Sequence, residues 1–187
     1  KRQRLSQSLK DGPQDVADMA HRLGVAEELP GVGKTLQEKN GKPAEGITLG
    51  MYQSSPLDMA TALATLTNGG TYHRPHFVEK VENSNGDVLL DNTNDDGDRV
   101  VSEEVANGVI QAMQPIAAYS NGNVLAGGRP SAAKTGTAQL GDTGENKDAW
   151  MLGSTPQLST AVWVGTGDGK PIHNSYGLSL IHISEPT

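Results

Sequence analysis

The sequence predicts a mixed α/β (α+β) fold, in which helices and an antiparallel sheet occupy different parts of the chain. Two observations lead to this prediction. Apolar residues recur at helical spacing in three segments of the earlier part of the chain, and each segment carries start or stop signals for a helix. Three apolar-rich runs then follow one another closely, with gaps that suit turns. The length of 187 residues fits one domain or a large part of one.

The three predicted helices are delimited by residues that favour helix ends. A glycine-proline pair opens the first, and a glycine that can adopt the left-handed conformation closes it. A capping serine followed by proline opens the second. A serine followed by two acidic residues opens the third, and a proline should end or kink it. The signals of the first helix are Gly12, Pro13 and Gly24. Those of the second are Ser55 and Pro56 at its start and Gly69 after its end, and those of the third are Ser102, Glu103, Glu104 and Pro115.

The strongest strand signals come last in the sequence. Residues 131–140, 148–154 and 158–165 are apolar-rich runs, and Pro156-Gln157 between the last two is a turn signal. We therefore expect three adjacent antiparallel strands, with Lys134 on the first.

A smaller hairpin is predicted upstream of these strands. Residues 76–81 and 87–90 flank Asn85-Gly86, a pair that tolerates the positive φ angles of a tight hairpin turn. Residues 25–50 are rich in turn formers and are predicted to be mostly loop. The acidic residues 92–98 are expected to be disordered.

Composition excludes several classes of function. The formal net charge is -7 and no cluster of Lys and Arg stands out, so nucleic acid is not an expected partner. The chain has no cysteine, which excludes disulfides and thiolate metal sites. Its His, Asp and Glu residues lack the spacing of a ligand set, so we expect no metal and no cofactor. No apolar run of about 18 residues is present that could span a membrane.

Both ends of the sequence are interpreted as remnants of a DNA library adapter. Residues 178–187 correspond to the translation of a transposase mosaic end, and residues 1–3 correspond to the opposite mosaic end. Such remnants are set aside before the fold is considered. We therefore expect the natural sequence to be residues 4–177, a partial domain that is truncated at both ends.

Two short motifs resemble functional signatures but are interpreted as structural. Residues 31–35 read Gly-Val-Gly-Lys-Thr, like the end of a phosphate-binding loop, yet Glu28 stands where that motif needs glycine. Ser131 and Lys134 have the Ser-x-x-Lys spacing of an activated serine, which requires both residues on one face of a helix. Because the residues that follow predict a strand, we expect Ser131 to be structural.

The strongest candidate binding motif is Lys134-Thr135-Gly136-Thr137, hereafter the signature tetrapeptide. It follows a glycine-rich loop and begins the first of the three predicted strands. A cation beside two hydroxyls suits a carboxylate, and glycine lets the backbone of a ligand approach the strand. Trp150 and Trp163 alternate with apolar neighbours on the other two strands, and we interpret them as core residues.

From residue 4 to about residue 177 the chain resembles the C-terminal half of the transpeptidase domain of class A, bifunctional penicillin-binding proteins, most closely those of actinobacteria. The resemblance implies the fold of serine β-lactamases and D,D-peptidases, an antiparallel sheet with flanking helices. Besides the signature tetrapeptide, it rests on residues 11–21 (DGPQDVADMAH), 56–60 (PLDMA), 112–116 (AMQPI), 146–151 (NKDAWM) and 155–165 (TPQLSTAVWVG).

This resemblance implies a peptidoglycan D,D-transpeptidase, which cross-links stem peptides through a serine acyl-enzyme and takes β-lactam antibiotics such as penicillin as false substrates. Lys134 would tune the proton network of the site, and the backbone N–H of Thr137 would be one of two oxyanion-hole donors. The hydroxyls of Thr135 and Thr137 would hold the substrate carboxylate, while Gly136 keeps the approach open. The resemblance also implies a membrane-anchored parent protein that acts on the extracytoplasmic face of the bacterial cell membrane.

Two motifs of that family are missing from the sequence. No serine has asparagine two positions later, and the single Ser-x-x-Lys is the pair at 131 and 134 on a predicted strand. The nucleophile is therefore expected outside this chain, which by itself would be inactive. Two alternatives of the same fold stay open: a β-lactamase, although no Glu-x-x-Leu-Asn is present for deacylation, and a non-catalytic penicillin-sensing receptor domain.

Overall fold

The structure, a computed structural model, describes residues 12–119 and 124–172. Its α-helices are α1 (Pro13–Leu23), α2 (Pro56–Thr67), α3 (Glu103–Met113) and α4 (Pro115–Tyr119), and 3-10 helices span Glu45–Leu49 and Ala126–Gly128. Its strands are β1 (Glu28–Leu29), β2 (Gly33–Lys34), β3 (Thr71–Tyr72), β4 (Lys80–Glu82), β5 (Val88–Asp91), β6 (Asp98–Arg99), β7 (Ala132–Gln139), β8 (Asn146–Thr155) and β9 (Leu158–Gly165). The residues interpreted as adapter remnants, 1–3 and 178–187, lie outside these ranges.

The predicted helix ends are confirmed. Gly24 follows α1 with φ of 119°, and its N–H donates to carbonyl groups of the last turn. The Ser55 hydroxyl accepts a hydrogen bond of 3.0 Å from the N–H of Asp58 at the start of α2. Ser102 caps α3 in the same way, through the N–H of Val105 at 3.3 Å. α3 ends before Pro115, which begins the short helix α4.

The last three strands form one antiparallel sheet in the order β7-β8-β9, as predicted. Pro156-Gln157 is the two-residue turn that joins β8 to β9, since Thr155 pairs with Leu158. The smaller hairpin is also confirmed, although its first strand is only β4 and begins at Lys80 rather than at residue 76.

Two hydrophobic clusters form the core. The first is formed by one face of the sheet and α4, and the second by α1 and the segment that leads to α2. Helix α2 is bonded to the sheet and to the end of α1, because the Thr67 hydroxyl donates to Ser154 of β8 at 2.9 Å and the Thr65 hydroxyl donates to the carbonyl oxygen of Leu23 at 2.9 Å. The buried members are Ala117, Ala133, Ala149 and Met151 in the first cluster, and Ala17, Val25, Leu36 and Ile47 in the second.

Residues 25–50 are mostly loop, as predicted, although they also contain the β1-β2 hairpin and a 3-10 helix. One local prediction is wrong. Residues 92–98 are ordered rather than disordered, because Asp95 accepts hydrogen bonds from the N–H groups of Arg74 and Gly97. The segment then leads into β6, which pairs with β3. Acidic side chains that satisfy nearby backbone donors can hold a turn without a hydrophobic core.

Candidate functional site

The signature tetrapeptide occupies the middle of β7, on an edge strand of the sheet. β7 pairs with β8 on one side, and on the other side it pairs with no strand among the residues that the structure describes. An edge strand presents backbone N–H and C=O groups that can pair with an extended ligand. The site is therefore a strip along the outer edge of β7 rather than a closed pocket.

Strand alternation separates the charged and hydroxyl side chains of the tetrapeptide. Lys134 and Gly136 lie on one face of the sheet, and Thr135 and Thr137 lie on the opposite face. Their cross-strand partners are Leu152 for Lys134, Trp150 for Gly136, Met151 for Thr135 and Ala149 for Thr137. The sequence interpretation placed the cation beside the two hydroxyls, and this is corrected. All three side chains can reach one ligand only if that ligand lies alongside the strand edge, between the two faces.

The two faces differ in their surroundings. Met151 and Ala149 belong to the hydrophobic cluster with α4, so Thr135 and Thr137 stand at the margin of the core, and Thr137 is exposed. Lys134 is half-buried on the other face, and its Nζ donates to the carbonyl oxygen of Thr135 at 2.5 Å. This contact holds the amine close to the backbone of its own strand.

Gly136 lies in a close approach of β7 to a tryptophan. A Cβ atom added to Gly136 would lie 3.3 Å from the Cβ of Trp150, which is directly opposite on β8. Any larger side chain at position 136 would therefore displace the indole or the strand. The sequence interpretation attributed this glycine to ligand approach alone, and the register adds a packing reason.

The two tryptophans are not in the cluster that forms the core of the sheet. Trp150 and Trp163 pair across β8 and β9 on the Lys134 face, with ring centroids 6.4 Å apart and an interplanar angle of 48°. Trp163 is 39% exposed, and its Nε1 donates to a carboxylate oxygen of Asp148 at 2.9 Å. The prediction of a core residue is wrong for Trp163, whereas Trp150 is half-buried. Strand alternation relative to Lys134 is the signal that could have placed both rings on the Lys134 face of the sheet.

The two motifs interpreted as structural have no catalytic geometry. Lys34 lies in β2, the second strand of a short hairpin, where it pairs with Glu28, and no helix follows it directly to receive a phosphate. Ser131 immediately precedes β7 and Lys134 lies within it, so the pair does not share a helix face. In residues 12–119 and 124–172, no group of three His, Asp or Glu side chains could hold a metal ion.

A cavity among the described residues lies apart from the tetrapeptide. It has a volume of about 270 Å³ and lies between the end of α2, β3 and the β8-β9 turn. Its lining includes Thr61, Asn68, His73, Gln157 and Ser159, but no residue of the signature tetrapeptide. This cavity and the edge of β7 are thus separate features.

The groups whose pKa is clearly shifted also lie away from β7. Hydrogen bonds from a neighbouring side chain lower the pKa of Asp91, through Thr93, and of Asp168, through Lys170. The N–H of Gly97 lowers the pKa of Asp95. Burial raises the pKa of Tyr52, whose hydroxyl donates to Glu38 and ties the segment before α2 together.

Known proteins match the chain over nearly its whole length. The family model described as the penicillin binding protein transpeptidase domain matches residues 3–178. Penicillin-binding protein 1A of Mycolicibacterium smegmatis is 60% identical over 188 residues, which cover 98% of this chain and 24% of that protein. Penicillin-binding protein 1A of Mycobacterium tuberculosis is 55% identical, with 98% of this chain and 23% of that protein covered. The chain therefore spans about a quarter of the length of these relatives.

Solved structures show the same fold. The penicillin-binding protein PonA1 from Mycobacterium tuberculosis superposes with a TM-score of 0.84 at 55% identity, over 91% of this chain and 46% of that chain. The structure of PonA1 in complex with penicillin V superposes with a TM-score of 0.88 at 53% identity, over 95% of this chain and 49% of that chain. Both comparisons match this chain to about half of the solved chain.

Proposed function

The chain belongs to the penicillin-binding protein transpeptidase family, and on this premise we propose that it forms the substrate-binding edge of a peptidoglycan D,D-transpeptidase. The nucleophilic serine of that enzyme would lie outside the chain, which contains no Ser-x-Asn and no helical Ser-x-x-Lys. The observation that supports this most is the position of the signature tetrapeptide on the open edge of β7.

The proposed substrate is a stem peptide that lies extended along the outer edge of β7. Backbone groups alternate along a strand, so the N–H groups of Thr135 and Thr137 point to the same edge. The Thr135 and Thr137 hydroxyls would hold the terminal carboxylate from one face, and Lys134 would reach the reacting groups from the other. Gly136 contributes no side chain to this strip.

The proposed reaction is acyl transfer. The serine oxygen attacks the carbonyl carbon between the two terminal D-alanines, and the negative charge that develops on the carbonyl oxygen is stabilised by the N–H of Thr137. The terminal D-alanine leaves, and the amine of a second stem peptide then takes the acyl group from the serine. Lys134 contributes to the proton transfers. A β-lactam such as penicillin enters the same first step, and the solved complex of PonA1 with penicillin V supports this ligand class.

The location of the parent protein belongs to the same proposal. A peptidoglycan transpeptidase acts on the extracytoplasmic face of the cell membrane, to which we propose that the parent is anchored. Among the described residues, no helix has the length and apolar character needed to cross a bilayer.

A hybrid protein tests the proposal. In it, residues 4–177 of this chain replace the matching segment of the Mycolicibacterium smegmatis penicillin-binding protein 1A. We expect fluorescent penicillin to label the hybrid, and Lys134→Ala to slow labelling by roughly a hundredfold or more, as for loss of a proton-transfer group. Lys147→Ala, on the exposed surface of β8, is the matched control and should leave the rate unchanged.

Two results would contradict the proposal. A folded hybrid that takes up no penicillin would mean that this edge does not bind a β-lactam. Rapid release of the label by hydrolysis would favour the β-lactamase alternative, because a transpeptidase holds the penicilloyl group on its serine.

A further inference from the structure

The N-terminus of α2 contains two buried polar atoms that lack a hydrogen-bond partner, Ser54 Oγ and Asp58 Oδ2. Asp58 is only 8% exposed. Its backbone N–H donates to Ser55, but the buried Oδ2 atom of its carboxylate accepts no hydrogen bond. Burial of a carboxylate is strongly unfavourable unless a hydrogen bond or an opposite charge compensates it. Most native structures therefore provide a partner for such a group.

No cation within the described residues supplies that partner. The ion pairs there are His73 with Asp95, Lys80 with Glu82, and Lys170 with Asp168. The positive end of the helix dipole favours an acid in the first turn, but that effect is small compared with the loss of hydration on burial. A water molecule could donate to Asp58, but it would not neutralise the charge.

Apolar side chains are exposed in the first turn of α2 and in the segment that precedes it. Leu57 in the first turn of α2 is 45% exposed, and Leu49 and Met51 in the preceding segment are 46% and 54% exposed. Ile47, two residues before Leu49, belongs to the hydrophobic cluster against which Ala62 of α2 packs. A carboxylate with a buried, unpartnered oxygen near exposed apolar side chains fits an interface with a cationic side chain. The stem of such a side chain is apolar and its end is charged.

We propose that Ser54 and Asp58 form one half of a buried polar contact, whose other half is an arginine or lysine side chain from the part of the parent protein outside this chain. The stem of that side chain would lie on Leu49, Met51 and Leu57. The parent is the source because the matched relatives are about four times as long as the chain. A metal ion fits poorly, since one carboxylate and one hydroxyl are too few ligands. This proposal is independent of the catalytic function proposed above.

The proposal is tested by measuring the thermal stability of two proteins. One is the hybrid protein defined above, and the other is the chain by itself. In the hybrid, Asp58→Asn should lower the unfolding temperature by roughly 5 °C or more, because it leaves a buried cation unpaired. In the chain by itself, the same substitution should leave the unfolding temperature unchanged or raise it, because it removes an unpaired charge. Asp15→Asn is the matched control, since Asp15 lies exposed in the first turn of α1. It should have no effect above about 1 °C in either protein.

Two outcomes would overturn the proposal. Equal losses in hybrid and chain would mean that Asp58 acts within α2 alone, and no loss in the hybrid would mean that water or the helix dipole suffices. If the chain by itself does not unfold cooperatively, the unfolding temperatures of the hybrid variants alone test the proposal. There, Asp58→Glu should keep more stability than Asp58→Asn because it keeps the charge, and the reverse order would refute the contact. Penicillin labelling of the same variants is read separately, so failure of this contact and failure of the proposed function are distinguishable.

Discussion

The surroundings of each residue in the signature tetrapeptide constrain it in a different way. Lys134 and Thr135 are neighbours in sequence but lie on opposite faces of β7, so they can act together only at the edge of the strand. Gly136 is constrained by Trp150 across the sheet, whereas Thr137 is exposed. Substitutions at these positions should therefore separate ligand binding from packing.

The two threonines should affect acylation rather than stability. In the hybrid protein, Thr135→Val or Thr137→Val removes a hydroxyl from the proposed carboxylate site and keeps the side-chain volume. A hydrogen bond to a charged group contributes about 1.5–3 kcal/mol, so penicillin labelling should slow by roughly 10- to 100-fold. Thr160→Val is the matched control, because Thr160 lies on the same face but on the opposite edge strand β9. Labelling rates equal to wild type would remove these threonines from the site.

In contrast to the two threonines, Gly136 should affect stability, which can be measured on the chain itself. Gly136→Ala brings a Cβ to 3.3 Å from the Cβ of Trp150, and we expect a loss of stability of about 1–2 kcal/mol from overpacking. Gly153→Ala is the control, since a Cβ on that strand glycine meets nothing within 4 Å. The midpoints of urea denaturation measure both effects. Equal midpoints for the two variants would contradict the packing role of Gly136.

At the scale of elements, residues 92–98 show how acidic side chains can order a segment. The pKa of Asp95 is lowered first by the N–H of Gly97, with smaller contributions from Arg74 and His73. Because the folded pKa lies below the unfolded value of 3.8, this stabilisation is fully present above that value and is lost as the pH falls through the folded pKa. The segment should therefore keep its structure at neutral pH and loosen only in acid, below about pH 4.

Amide chemical shifts of Gly97 and Arg74 between about pH 7 and pH 2 would measure this transition. Asp95→Asn should abolish the titration of both amides and loosen the segment at neutral pH. Asp96→Asn, which changes the exposed neighbouring acid, is the control and should leave the titration in place. A transition that persists in Asp95→Asn would assign it to another group.

At the scale of the whole molecule, the chain contains the signature tetrapeptide, whereas we expect the nucleophilic serine to lie outside it. We predict that the chain by itself forms no covalent adduct with fluorescent penicillin, because residues that bind a carboxylate supply no bond-forming atom. Intact mass after incubation measures this, with the hybrid protein as the positive control. A stoichiometric adduct on the chain would mean that it contains the nucleophile, and Ser131 would be the first serine to substitute.

The interpretation of residues 178–187 as an adapter remnant leads to a further prediction at this scale. No selection would have shaped these residues to pack against the domain, so deleting them should change the unfolding temperature by no more than about 1 °C. Differential scanning calorimetry of the full and shortened chains compares the two. A drop of several degrees would count against the adapter interpretation.

The sequence by itself determined the helices with strong end signals and the order of the three strands. Capping serines, prolines and glycines act within a few residues of themselves, so α1, α2 and α3 could be delimited without tertiary information. The signature tetrapeptide and the family resemblance were likewise visible in the sequence, and the matches over nearly the whole chain confirm the family. The roles of Lys134, Thr135 and Thr137 stay predictions.

Only the tertiary structure decided which side chains share a face of the sheet and which lie where two elements pack together. The opposite orientation of Lys134 and the two threonines, the crowding of Gly136 by Trp150, and the pairing of Trp150 with Trp163 all depend on strand register. A shift of one residue in register would move every side chain to the other face, and that choice is set by contacts between segments distant in sequence. The same holds for Asp58, whose carboxylate has a buried, unpartnered oxygen. Its position at a helix start could be predicted from the sequence, but its burial results from packing between α2 and the segments around it.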